Sequence, residues 1–191
     1  MDLLLATNNP HKTAEIKAIL KGKFDRVYTL KEKCIDVNPD ENGSTFFENA
    51  MIKARAVSAY TNLPVLADDS GLSVDFLNGE PGVRSARYAG ENASQAECNK
   101  KLLDELRRTN NRKARFVCHT VLLFKDGSYI SSQGCADGEI LRLSVGENGF
   151  GYDPLFYSYD LKKTFAEASD AEKNSVSHRA AALAALCRLL K

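Results

Sequence analysis

Short apolar runs alternate with stretches carrying helix-start signals along the whole chain, and no other feature restricts the fold as tightly. Leu3-Leu4-Leu5-Ala6 reads as a buried strand. The polar turn Thr7-Asn8-Asn9-Pro10-His11-Lys12 follows, with a proline near a helix start. A helix from about Lys12 would bury Ile16, Ile19 and Leu20 and stop near Gly22. Arg26-Val27-Tyr28-Thr29-Leu30 is a second strand candidate, and 38–44 is a loop. Thr45 and Glu48 form a capping box for a helix from Phe46 to about Tyr60. A strand over 64–67 comes next, and Ser94 with Glu97 opens another helix that points Leu102, Leu103 and Leu106 inward. Residues 114–124 are β-rich, Asp126-Gly127 signals a hairpin, and Glu139-Ile140-Leu141 suggests the start of a further strand. Ser177 is placed to cap a final helix that buries Leu183, Leu186, Cys187 and Leu190. Interleaved strands and helices specify an α/β fold. The hairpin over 114–131 makes its sheet mixed.

The chain has 191 residues, enough for one domain of generous size over 1–191, with room for two lobes. Lys and Arg number 26 against 25 Asp and Glu, a net charge of +1, which argues against wrapping nucleic acid. The five cysteines, Cys34, Cys98, Cys118, Cys135 and Cys187, are scattered and contain no C-x-x-C pair. That pattern suits a reducing compartment without a disulfide framework or a zinc site, with Cys118 and Cys187 as buried thiols. The N-terminal apolar run is too short for a signal-peptide core, and no stretch reaches the length of a membrane span. The expectation is a cytoplasmic protein without membrane contact.

Four segments carry candidate chemistry. In Pro64-Val65-Leu66-Ala67-Asp68-Asp69-Ser70-Gly71, a strand ends in two carboxylates. Ligands of open α/β sheets bind outside the carboxyl ends of strands. Paired carboxylates there suit Mg2+, which prefers oxygen ligands and bridges to phosphates. The competing reading is a type I turn, which favours Asp, Ser and Gly. Successive strand residues face opposite ways, so Asp68 and Asp69 need not share a site.

The first turn and helix resemble a phosphate cradle, since a helix start offers free N–H groups and a positive dipole end. Lys12 stands there against the dipole, as His178 and Arg179 do at the start of the last helix. A bound anion would resolve both conflicts, and solvated surface cations are the alternative. Asn49 and Lys53 share one face of the second helix, from which Lys53 reaches either a phosphate or solvent. Glu48 is better explained as a cap, leaving Glu41 freer to hold a metal. Phe150, between Gly149 and Gly151, either stacks on a base or plugs the core edge.

Six segments in order resemble the inosine/xanthosine triphosphate pyrophosphatase family. They are 6–12, 41–50, 67–72, Pro81-Gly82 with Ser85-Ala86-Arg87-Tyr88, Gly149-Phe150-Gly151-Tyr152-Asp153-Pro154, and Glu172-Lys173-Asn174 with Ser177-His178-Arg179. The resemblance implies an elongated α/β fold with a mixed sheet, two lobes and a deep central cleft. It also implies a homodimer and Mg2+-dependent cleavage of a purine nucleoside triphosphate such as ITP, dITP or XTP to the monophosphate and pyrophosphate. By the same resemblance, Thr7, Asn8, Asn9, Pro10, His11 and Lys12 cradle the triphosphate, supported by Ser70 and Lys53. Glu41 and Asp69 serve the metal, and Asp69 is also the base for the attacking water. Phe150, Gly151, Tyr152, Asp153, Lys173, His178 and Arg179 bind the nucleoside. Where the family has Thr-Gly before its glycine-aromatic loop, this chain has Glu147-Asn148.

Two alternatives stand beside this reading. A related pyrophosphatase acting on methylated or pyrimidine nucleotides would share the first-turn logic, and the segments around Phe150 and His178 favour the purine reading. A non-catalytic nucleotide sensor would not need both Glu41 and Asp69. Asp68-Asp69-Ser70 lacks the D-x-D spacing of an aspartyl-phosphate phosphatase.

Overall fold

The structure, a computed structural model, describes residues 1–190. Seven strands form one mixed sheet: β1 (Leu3–Leu5), β2 (Val27–Tyr28), β3 (Val65–Val74), β4 (Lys113–Leu123), β5 (Tyr129–Ile140), β6 (Phe156–Ser158) and β7 (Lys163–Thr164). Their order is β2-β1-β3-β4-β5-β6-β7. β1 runs parallel to β2 and β3, whereas β6 is antiparallel to β5 and β7. Among the described residues, five α-helices accompany them: α1 (Pro10–Ile19), α2 (Phe46–Ser58), α3 (Gln95–Glu105), α4 (Asp170–Val176) and α5 (His178–Leu189).

Local signals account for most helix starts. Thr45 and Ser94 accept from the backbone N–H of Glu48 and Glu97, whose side chains reach back, so both expected capping boxes are present. A third, from Ser169 and Glu172, opens α4, a helix not foreseen in the sequence. α1 begins at Pro10 rather than Lys12, because Asn9 is its N-cap. Glu139-Ile140 ends β5 instead of starting a new strand.

The largest departure is at Asp68-Asp69-Ser70-Gly71. The turn reading fails there, because β3 runs unbroken to Val74. Buried backbone groups must find hydrogen-bond partners, and pairing with a neighbouring long strand outweighs the weak turn preference of four residues. β1 pairs its first half through Val65 and Leu66, and β4 is its other neighbour.

The chain divides into two compact units. The first holds Met1–Asp69, Cys118–Gly134 and the chain from Arg179; the second holds Ser70–Val117 and Cys135–His178. In the first, the pleat sends Leu3, Leu5, Leu66 and Leu122 to one face, onto Ile16 of α1, Leu20 at its C-cap, and Leu183 and Leu186 of α5. Leu4, Val65, Ala67, Val121 and Leu123 face the other way, onto Ala50, Ala54 and Val57 of α2. In the second unit, Leu72, Val74, Phe116, Ile140, Phe156 and Phe165 pack with Cys98 and Leu102 of α3. Arg112 is buried there, donating to the carbonyls of Ile140, Leu106 and Leu141 at 2.5, 2.8 and 2.8 Å. It satisfies carbonyls left open where α3 and β5 end.

The α2 cap gives a test of this local logic. Thr45→Ala is expected to lower stability by about 1 kcal/mol, the usual cost of losing an N-cap. Urea unfolding followed by circular dichroism measures it, and an unchanged midpoint would contradict the assigned cap.

Candidate active site

Because β3 continues past Ala67, its alternation continues too. Asp68 follows Leu66 to the face of α1 and α5, and Asp69 follows Ala67 to the face of α2. The two carboxylates therefore meet different partners.

Asp68 is sealed from water and its Oδ2 collects cations. Lys12 Nζ of α1 lies 3.2 Å away, and Arg179 of α5 donates from Nε at 3.2 Å and Nη2 at 3.1 Å. Arg179, itself fully buried, also donates through Nη1 to Glu15. The buried Cys118 thiol on β4 is 3.9 Å from the same oxygen. Burial alone would raise the Asp68 pKa, but Lys12, Arg179 and Lys53 outweigh it and hold the group well below the ordinary carboxylate value. Burial, with Asp68 beside it, pushes the Cys118 thiol up to about 12. Oδ1 of Asp68 is buried without a hydrogen-bond partner among the described residues, which leaves acceptor capacity there.

Asp69 is also buried, but its partners differ. Lys53 Nζ is 3.3 Å from its Oδ1, and Asn49 Nδ2 donates to its Oδ2 at 3.1 Å. The same Nζ is 2.7 Å from Glu41 Oε2, so one ammonium bridges two carboxylates. Lys53 is thus buried rather than on a solvated helix face. Burial raises the Asp69 pKa, Lys53 and Lys12 pull it back, and Glu41 adds to the rise; the net direction is up. Lys53 is held charged, because Asp69, Asp68 and Glu41 overcome its own desolvation.

The first turn is only partly the cradle its sequence suggests. Asn9 Oδ1 accepts from the N–H groups of His11 at 2.9 Å and Lys12 at 3.2 Å, and Pro10 has no N–H. Thr13 N–H bonds to the Asn9 carbonyl, so these first-turn donors are already satisfied. Thr7 Oγ1 accepts from Asn9 N–H, and Asn8 donates to the Val37 carbonyl. What α1 offers an anion is then the Lys12 charge and the dipole, not a row of free amides.

In the second unit, Asp153 organises the 149–153 loop. Its Oδ2 accepts from Phe150 N–H at 2.9 Å and from Lys173 Nζ at 2.6 Å, with both charged side chains buried. Gly149 has φ +75°, and a Cβ there would lie 2.2 Å from Asp153 Oδ2, so both conformation and space demand glycine. Lys173 Nζ sits 4.8 Å from the centre of the Phe150 ring, which is half-buried. Asn148 ties the loop to Ala166 and Ala168 through its N–H and its amide. Gly151 accepts from Asn99 at its carbonyl. Tyr152 is buried, with its hydroxyl donating to the Ser85 carbonyl. His178 is buried and stacked on Phe116 at 4.8 Å. Ser70, the next residue of β3 after Asp69, is half-buried.

Glu15 and His119 are not among the sequence candidates; Asp68 enters there only as a partner of Asp69, and Asn49 only as a neighbour of Lys53 on one helix face. His119 has its pKa lowered by burial, with Gln133 and Asp69 acting the other way. Phe47 of α2 meets its ring edge-on. The alternation of β3 and β4 was the signal for Asp68 and His119; nothing local marked Glu15.

The profile of the Ham1 family matches residues 3–189. This chain belongs to the Ham1 family. It is 46% identical over 196 residues to the dITP/XTP pyrophosphatase of Clostridium perfringens, covering 98% of this chain and 96% of the relative. It is 47% identical over 193 residues to the dITP/XTP pyrophosphatase of Thermus thermophilus, covering 100% and 92%. The solved structure of the Staphylococcus aureus Ham1 protein superposes with a TM-score of 0.88 at 43% identity, over 100% of this chain and 98% of that one. The mixed α/β fold expected from sequence is the fold of these Ham1 proteins. The expected class, a hydrolase acting on acid anhydrides, is the class of the pyrophosphatase relatives.

Asp68 gives a test at this level. Asp68→Asn leaves Arg179 buried without its main counter-charge, and breaking a buried pair costs about 3–5 kcal/mol. The folded pKa of Asp68 lies below its unfolded value of about 3.9. Its contribution is therefore complete above that value and is lost as pH falls through the folded pKa. Urea unfolding at several pH values should show a gap between wild type and variant that is full at neutral pH and closes only in strong acid.

Proposed function

We propose that this chain hydrolyses the non-standard purine nucleoside triphosphates ITP, dITP and XTP to the monophosphate and pyrophosphate, clearing them from the nucleotide pool. We propose further that it does so with Mg2+, as a homodimer, in the cytoplasm. The observation that carries the reading is the pair Glu41 and Asp69 bridged by Lys53, within a chain so similar to curated dITP/XTP pyrophosphatases. The reducing compartment suits its scattered cysteines.

The donor set fits a magnesium ion shared with substrate. Among the described residues, no group of three or more His, Cys, Asp or Glu is placed to hold a metal, which argues against an all-protein cage. Mg2+ is usually held by one or two carboxylates plus phosphate oxygens and water. Glu41 and Asp69 supply two carboxylates, and both already pair with one cation, the Lys53 ammonium, which supports the reading. When bound, the ion would offset phosphate charge and polarise the phosphoryl oxygens.

The remaining work falls to the chain. Asp69, ionised, takes a proton from the attacking water at its carboxylate. Burial raises its affinity for a proton and Glu41 adds to the rise, while Lys53, Lys12 and the Asn49 hydrogen bond oppose it. Lys12 and Lys53, with Thr7 to His11 and Ser70, meet the triphosphate, offsetting charge that grows as the P–O bond breaks. Asp68 holds Lys12 and Arg179 in place. Phe150 offers a face to the purine, and Gly151, Tyr152, Asp153, Lys173 and His178 complete the nucleoside contacts or shape them. Arg179 contributes mainly by clamping Asp68, because its guanidinium is engaged with Asp68 and Glu15.

Asp69→Asn keeps the shape and removes the base. Turnover of ITP should fall by about two to four orders of magnitude, the range for losing a general base. Near-normal kcat at saturating Mg2+, in a pyrophosphate-release assay, would rule Asp69 out as the base.

Lys12→Ala removes a charge that meets the outer phosphates, so binding of ITP should weaken far more than binding of IMP. The difference should shrink as salt rises. Equal losses for the two nucleotides, measured by calorimetry, would place Lys12 away from the triphosphate.

A further inference from the structure

Asn49 is an expensive residue where it stands. It lies on the buried face of α2, among Ala50, Ala54 and Val57, and is 1% exposed. Asparagine is a poor helix former, and a buried amide must have its hydrogen bonds met. Both ends of this amide are used. Oδ1 accepts from the Gly43 N–H at 2.8 Å, and Nδ2 donates to Asp69 Oδ2 at 3.1 Å. The partners fix the orientation, because a flipped amide would face the donor N–H with its NH2 and the carboxylate with its oxygen.

We infer that Asn49 is a positioning residue that sets Glu41 and Asp69 in register for a shared divalent cation. The inference rests on the metal reading proposed above. Asn49 and Lys53, one helical turn apart, take one Asp69 oxygen each and so define the plane of the carboxylate. Lys53 is a flexible cation that competes with any incoming metal for the same two carboxylates. Asn49 is short and neutral, and it can stay in place while that exchange occurs. Its other end anchors the backbone at Gly43, two residues after Glu41, so one side chain ties the Asp69 carboxylate to the loop that carries Glu41.

Gly43 gives an independent handle. A Cβ at this position would lie 2.7 Å from Asn49 Oδ1 and 2.7 Å from Glu48 Cβ, so a side chain there must displace the amide. Gly43→Ala should therefore reproduce Asn49→Ala without touching Asp69. Thr45→Ala is the control, since it weakens the start of the same helix and leaves the amide alone.

The test measures binding of α,β-methylene-ITP by calorimetry with and without Mg2+, alongside kcat for ITP. Removing groups that orient metal ligands costs about 10–100-fold in metal affinity or activity. Asn49→Ala and Gly43→Ala should each lose that much of the Mg2+-dependent gain in affinity, and kcat should fall in step. Their metal-free affinities should match wild type, and Thr45→Ala should keep the full Mg2+ gain while melting earlier. A purely structural amide would instead lower melting temperature and spare the Mg2+ gain, and that result overturns the inference. So does a loss of Mg2+ gain in Thr45→Ala equal to that in Asn49→Ala. Failure of the parent reading looks different: wild type would show no Mg2+ gain, or Asp69→Asn would retain turnover.

Discussion

A carboxylate with no access to water must be matched by charge or be neutral, and Asp68 is matched by residues from two helices. Lys12 of α1 and Arg179 of α5 converge on its Oδ2, and Glu15 of α1 takes the other side of Arg179. The interaction is closed, since α1 supplies both a cation to Asp68 and an anion to Arg179. Removing Asp68 leaves Arg179 buried without its main counter-charge, a heavier loss than the pair's net worth. The apolar packing of Leu3, Leu5 and Leu66 against α1 and α5 sets how close these helices lie to the sheet. The ionic cluster then constrains where along it they sit.

The neighbouring position shows what one residue's shift along a strand achieves. Asp69 faces α2, where Lys53, Asn49 and Glu41 surround it. One carboxylate is committed and firmly ionised; the next is desolvated, with a raised affinity for a proton. A scaffold needs the first kind of group, and proton transfer needs the second. The same alternation on β4 sends Cys118 toward Asp68 and His119 toward α2.

In the second unit, several residues that the resemblance makes nucleoside ligands also hold their own loop. Asp153 and Lys173 form a buried pair that folds the 149–153 loop, and Tyr152 anchors it to Ser85. Phe150 is held by its backbone N–H on Asp153 and by the Lys173 ammonium near its ring. Such a ring is pre-ordered, so a base stacking on it would lose little loop entropy.

The sequence alone determined whatever depends on neighbouring residues. Capping boxes at Thr45 and Ser94, the hairpin at Asp126-Gly127 and the alternation of strands with helices are set within a few residues, and they were legible. Family resemblance marked Glu41, Lys53 and Asp69, which the structure brings together. Tertiary structure decided that β3 passes through Asp68-Asp69-Ser70-Gly71, where β4 lies alongside as a pairing neighbour that a local turn preference does not register. It also decided the fate of Arg179, which in sequence is a cation at an unfavourable helix start. In the fold it is a fully buried clamp on residues 111 and 164 positions away. Caps and periodicity act through local backbone geometry and leave a local trace. Ion pairs act through space after the core has formed, so only the packed chain reveals which charges meet.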